Sequence, residues 1–103
     1  MKNIVVLVSG GGTNLQALID AQNSGKIKNG KITCVISSKE DAYALERAKN
    51  NSIKTITLLR KNYENVAQYS QAMLEVLQKE KADLVVYAGF MTMKQLQKHF
   101  LVE

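Results

Sequence analysis

The sequence predicts an α/β fold, a doubly wound, mostly parallel sheet of about four strand–helix units. Two observations carry this prediction. Short strand-like runs recur at 4–8, 32–36, 53–58 and 84–88, with helically spaced apolar residues between them. The intervals between runs are also long enough for the crossover that a parallel connection needs.

The first run, Ile4-Val5-Val6-Leu7-Val8, is aliphatic throughout and reads as a strand buried on both faces. Ser9-Gly10-Gly11-Gly12 then removes every side chain that would crowd a ligand, and Thr13 or Asn14 is placed to cap the next helix. A buried strand, a bare turn and a helix N-terminus form an anion site, because unpaired N–H groups and the helix dipole both favour negative charge there. Phosphate is the expected ligand. Leu15 stands where a dinucleotide fingerprint needs its third glycine, and no Gly-Lys-Ser/Thr follows, so neither common nucleotide motif is met.

Leu15, Leu18 and Ile19 continue the helix to a stop at Asn23-Ser24-Gly25, and an Asn29-Gly30 turn precedes the second strand, Ile32–Ile36. After Ser37-Ser38-Lys39, Asp41 is placed to cap a helix through Ala42, Leu45 and Ala48. A third strand spans Ile53–Leu58. A long helix over 62–81 follows, with Val66, Tyr69, Met73, Val76 and Leu77 on its apolar stripe. Leu84–Ala88 is the fourth strand, and Gly89-Phe90-Met91 turns out of it. In open parallel sheets ligands bind beyond the carboxyl ends of the strands. That rule brings Gly10–Asn14, Ser37–Lys39 and Gly89–Met91 to one crevice. Ser37 and Ser38 stand where an acidic residue would hold the ribose of NAD, which argues against NAD and leaves NADP only a weak opening through Lys39.

Composition narrows the classes. An apolar fraction of 46% and a charged fraction of 22% are those of a soluble globular domain, with the cytoplasm expected. No apolar run approaches the ~18 residues of a membrane span. The net charge of +5 comes from lysines dispersed along the chain, which reads as a solvated surface rather than a nucleic-acid footprint. Cys34, the single cysteine, falls in an apolar run and reads as a buried, inert thiol. His99, the single histidine, reads as a helix residue near the C-terminus. No metal-ligand spacing and no nucleophile–base pair is present.

Three stretches resemble the N-terminal half of the phosphoribosylglycinamide formyltransferase family, in the family's order and spacing: Ile4–Leu18, Val35–Ala48 and Asp83–Met91. The resemblance implies a Rossmann-like fold, truncated relative to the family. It also implies transfer of a formyl group from 10-formyltetrahydrofolate to the amine of 5′-phosphoribosylglycinamide in purine biosynthesis, without a metal. Gly11, Gly12, Thr13 and Asn14 match the family's phosphate-binding residues. Gly89, Phe90, Met91 and Thr92 match its segment beside the glycinamide and the folate.

The match has departures. Thr92 stands where the family often has Arg, and Ser38 where it often has Asn. The family's Asn-Ile-His segment and later Asp, which polarise the formyl carbonyl and manage the proton, have no counterpart in these 103 residues. The expectation is therefore a phosphoribosyl-substrate-binding half over 1–93, inactive by itself, followed by a divergent and helical tail over 94–103. A sheet ending at its fourth strand would leave an edge open to self-association. The alternative reading is a non-catalytic nucleotide- or sugar-phosphate-binding module.

Overall fold

A computed structural model describes residues 2–10, 13–40, 42–88 and 101–102. Its elements are β1 (Lys2–Val8), α1 (Thr13–Asn23), β2 (Gly30–Ser37), α2 (Tyr43–Asn50), β3 (Lys54–Thr57), α3 (Val66–Lys79), β4 (Leu84–Ala88) and β5 (Leu101–Val102). They form a parallel sheet in the order β3-β2-β1-β4-β5. The chain builds outward from β1 on one side and then crosses back to β1's other edge, the arrangement of a doubly wound, Rossmann-like sheet.

The apolar runs become two cores because successive strand residues face opposite sides. Ile4, Val6 and Val8 pack with Leu15 and Ile19 of α1 and Ala44 and Ala48 of α2 on one face. Val5, Leu7 and Val85 pack with Tyr69, Met73 and Leu77 of α3 on the other. Val5 to Val8 have no solvent exposure, so β1 is enclosed on both faces as its composition requires.

The β1–β2 ladder contains a bulge. Ile4 pairs with Ile32, but Val5 pairs with Cys34, leaving Thr33 as the extra residue. Ile32 and Cys34 would share a face in a regular strand; the bulge sends them to opposite cores. The Gln22 side chain accepts from the Ile32 amide at 2.6 Å beside this irregularity. The buried Thr33 hydroxyl has no hydrogen-bond partner among the described residues.

Several boundaries differ from the sequence expectation. Helix α1 already includes Thr13 and Asn14, so they are its first residues rather than caps. Ala42 occupies the cap position of α2 without a side-chain bond, and Asp41 lies outside the described residues. The third helix starts at Val66, not at 62. Asn65 is extended and its side chain accepts from the Gln68 amide at 2.8 Å, which fixes the start, while Arg60–Asn62 form a separate 3₁₀ turn. Val66, in the first turn, is 49% exposed and leaves the apolar stripe to Tyr69, Met73 and Leu77. Gly30 begins β2 instead of forming a turn. In the tail, Leu101 and Val102 are a strand paired to Leu84 and Val85, not a helix, so β4 is not the edge. Residues 94–100, with His99, lie outside the described residues. Gly25 does end α1's turn as expected, at φ +81°.

Candidate functional site

The carboxyl ends of four strands lie in one register row. Val8 pairs with Ser37 on one side and Ala88 on the other, and Ser37 pairs with Thr57. These strand ends therefore form one rim of the sheet, where ligands of open parallel sheets sit.

At the centre of this rim the chain leaves β1 through Ser9 and Gly10. Two backbone bonds hold the departure in place: the Ser38 amide donates to the Val8 carbonyl at 3.1 Å, and the Ala44 amide donates to the Gly10 carbonyl at 3.2 Å. A Cβ built on Gly10 would meet none of the described residues within 4 Å, so among them the glycine leaves room for a close approach rather than relieving packing. Asn14 is exposed in the first turn of α1. Two residues on, Gln16 accepts from the Arg47 guanidinium at 3.2 Å and donates to Asp20 at 2.9 Å, tying α1 to α2. The expected phosphate residues Gly11 and Gly12 lie outside the described residues, as do Gly89, Phe90, Met91 and Thr92; Thr13 is described by its backbone alone. Ala88, the last described residue before the second of these segments, pairs with Val8.

The end of β2 divides into two roles. Ser37 is fully buried, and its hydroxyl both accepts from the Lys39 amide at 3.0 Å and donates to the Lys39 carbonyl at 2.7 Å. It builds the turn and offers nothing to a ligand. Ser38 is half-buried and Lys39 exposed, and both line a crevice with residues absent from the sequence expectation: Leu59, Arg60, Lys61 and Tyr63, from the loop after β3. The crevice has a volume of about 630 Å³. Its signal in the sequence was only Arg60-Lys61, which is indistinguishable there from ordinary surface charge.

Among the described residues no cluster of His, Cys, Asp and Glu could hold a metal, and no helix is long and apolar enough to cross a membrane. Cys34 is buried in the α3-side core, and burial pushes its thiol up to about 11, so it is not a nucleophile at neutral pH.

A doubly wound parallel sheet whose central strand runs into Ser9-Gly10 defines a Rossmann-like α/β protein. Residues 2–102 match the formyl transferase family model, and the chain belongs to that family. It is 52% identical over 91 residues to the phosphoribosylglycinamide formyltransferase of Haemophilus influenzae, covering 88% of this chain and 42% of that protein. It is 45% identical over 89 residues to the Escherichia coli enzyme of the same name, covering 86% and 42%. Glycinamide ribonucleotide transformylase 1 from Symbiobacterium toebii superposes with a TM-score of 0.84 at 40% identity, covering 90% of this chain and 43% of that one. The chain thus spans less than half the length of these relatives.

Proposed function

We propose that this chain supplies the substrate-anchoring half of a phosphoribosylglycinamide formyltransferase. In this reading Gly11, Gly12, Thr13 and Asn14 hold the 5′-phosphate of phosphoribosylglycinamide at the N-terminus of α1. Gly89, Phe90, Met91 and Thr92 flank the glycinamide and the pteridine of 10-formyltetrahydrofolate. The observation that carries the reading is the register of Val8 against Ala88, because these paired strand ends stand shortly before the two segments in the chain. The room that Gly10 leaves among the described residues supports it, as does the resemblance to relatives that bear the enzyme's name.

The chemistry is acyl transfer. The amine nitrogen attacks the formyl carbon, the bond from that carbon to N10 of the folate breaks, and the proton shed by the amine is returned to N10. This chain's part is positioning, since a phosphate fixed at a helix N-terminus removes rotational and translational freedom from the ribotide. The groups that polarise the formyl carbonyl are outside these 103 residues, and we expect binding without turnover from them alone.

Calorimetric titration of phosphoribosylglycinamide into the chain tests the reading, with NADPH as a control and Gly12→Val as the variant. Saturable ribotide binding that Gly12→Val abolishes supports it. Tighter binding of NADPH points instead to a nucleotide-binding module. Unchanged ribotide affinity in Gly12→Val removes the glycine-loop assignment.

A further inference from the structure

A second concave site lies beside the glycine turn, and the formyl-transfer reading makes no use of it. Its walls come from two loops, Ser38–Glu40 after β2 and Leu59–Tyr63 after β3. Both strands end in the same row as β1, since Ser37 pairs with Val8 and with Thr57. The volume of about 630 Å³ is in the range of small-molecule sites, about 300–1,000 Å³.

The lining is charged with one sign in excess. Among the described residues of the lining, Lys39, Arg60 and Lys61 are cations and Glu40 is the one carboxylate. Leu59 and Tyr63 supply apolar surface.

The walls are also fixed before any ligand arrives. The Ser37 hydroxyl bonds both the amide and the carbonyl of Lys39. The Leu58 amide donates to the Ser37 carbonyl at 2.8 Å, joining one loop to the other. On the far wall the Arg60 guanidinium donates to the Tyr63 carbonyl at 3.1 Å and lies 5.9 Å from the Tyr69 ring centroid, while Tyr63 packs edge-on against Tyr69 at 5.5 Å. Arg60 is thereby tethered and Lys39 and Lys61 are exposed, so a rigid cradle carries two solvent-facing ammonium groups. Convergent cations in a concavity favour a multiply charged anion over a neutral ligand, because the concavity focuses their field.

We propose that this crevice is a second anion site that binds phosphoryl-bearing small molecules, separate from the glycine turn. The phosphoryl group sits among Lys39, Arg60 and Lys61, and the rest of the ligand lies against Leu59 and Tyr63. This proposal does not rest on the formyl-transfer reading.

The test is amide chemical-shift mapping of the ¹⁵N-labelled chain, titrated in parallel with pyrophosphate, ADP and adenosine. Saturable shifts at Ser38–Glu40 and Leu59–Tyr63 are expected with pyrophosphate and ADP. Adenosine alone should give none, since the anion carries the recognition. Lys39→Gln with Lys61→Gln should weaken that binding about tenfold or more, as loss of charge-assisted contacts does. Gly12→Val should leave it unchanged, which separates this site from the ribotide site. Because the lysines are exposed, binding should also weaken as salt rises from ~50 to ~300 mM. Shifts confined to the residues around Gly10, no shifts at all, or equal affinity in the double lysine variant would each overturn the proposal.

Discussion

The Tyr69 hydroxyl donates to the carbonyl of Leu58 at 2.7 Å, joining the first turn of one core-facing helix to the first residue beyond β3. Tyr69 is 1% exposed, so its ring belongs to the α3-side core while its oxygen holds the loop that leads to Arg60 and Lys61. Tyr69→Phe keeps the ring and deletes the bond. It should cost about 1 kcal/mol in urea unfolding, whereas Tyr69→Ala should cost about 3–5 kcal/mol because it also leaves a cavity.

Thr33 offers the opposite case. As the extra residue of the bulge it carries a buried hydroxyl with no partner among the described residues. Thr33→Val replaces that hydroxyl with a methyl group of similar shape. It should leave stability unchanged or raise it by about 1 kcal/mol, read as a shift in the urea midpoint. A loss above about 1 kcal/mol would mean that the hydroxyl has a partner after all.

Gly30 pairs with Lys2 and abuts Ile4, and a Cβ there would stand 2.7 Å from Ile4 Cδ1. The obstacle is the end of a side chain, so it can yield. Gly30→Ala should therefore cost about 1 kcal/mol, and Ile4→Val about 0.5–1.5 kcal/mol by losing a buried methyl group. The double variant should cost less than the sum, since Ile4→Val removes the clashing atom; a strictly additive cycle would place the strain elsewhere.

Alkaline pH should unfold the protein by a defined route. Burial pushes the Cys34 thiol from 9.0 up to about 11, with Glu80 adding to the rise and Lys54 opposing it. Burial likewise pushes the Tyr69 phenol from 10.0 up to about 12, with Tyr63 adding and Arg60 opposing. The hydrogen bond to Glu80, at 2.8 Å, raises Lys54 as well. All three groups hold their protons longer folded than unfolded. Their contribution is full below the unfolded values and is lost as pH climbs toward the folded ones, first for Cys34 above 9.0 and then for Tyr69 above 10.0. The slope is about 1.4 kcal/mol per pH unit for each of the two core groups, Cys34 and Tyr69. Denaturation midpoints taken across this window should fall steadily, and Cys34→Ala should remove the first part of the decline.

The runs 4–8 and 84–88 are legible because their residues are apolar on both sides and need no periodicity, whereas β3 sets only Ile56 among a lysine and two threonines. Leu84–Ala88 is a strand at the bounds its composition suggests, and Ile4–Val8 lies wholly within β1. The turn at Gly25 was legible for a similar reason, since only glycine takes its backbone angle comfortably. Less accessible were features decided by contacts between distant residues. Nothing local tells that Thr33 is a bulge, because the bulge exists only against β1. Nothing local marks Arg60 and Lys61 as the wall of a crevice, because Lys39 comes to face them only through β2–β3 pairing. The start of α3 differs from the expected 62 because Asn62 and Asn65 are equally good cap residues by type. The bond to Gln68 decides between them.

The sheet order has a kinetic consequence. Strand β1 lies between β2 and β4, and its first residues are bonded to Asp83, 80 positions later in the chain. During synthesis β1, β2 and β3 can assemble early, but one flank of β1 stays bare until β4 arrives. Non-local pairing of this kind slows folding toward the ~ms–s range and leaves a transient template for unwanted strand pairing. The strand that ends most enclosed is the one that waits longest for its second neighbour, and the interval between β1 and β4 is where a chaperone would matter to this protein.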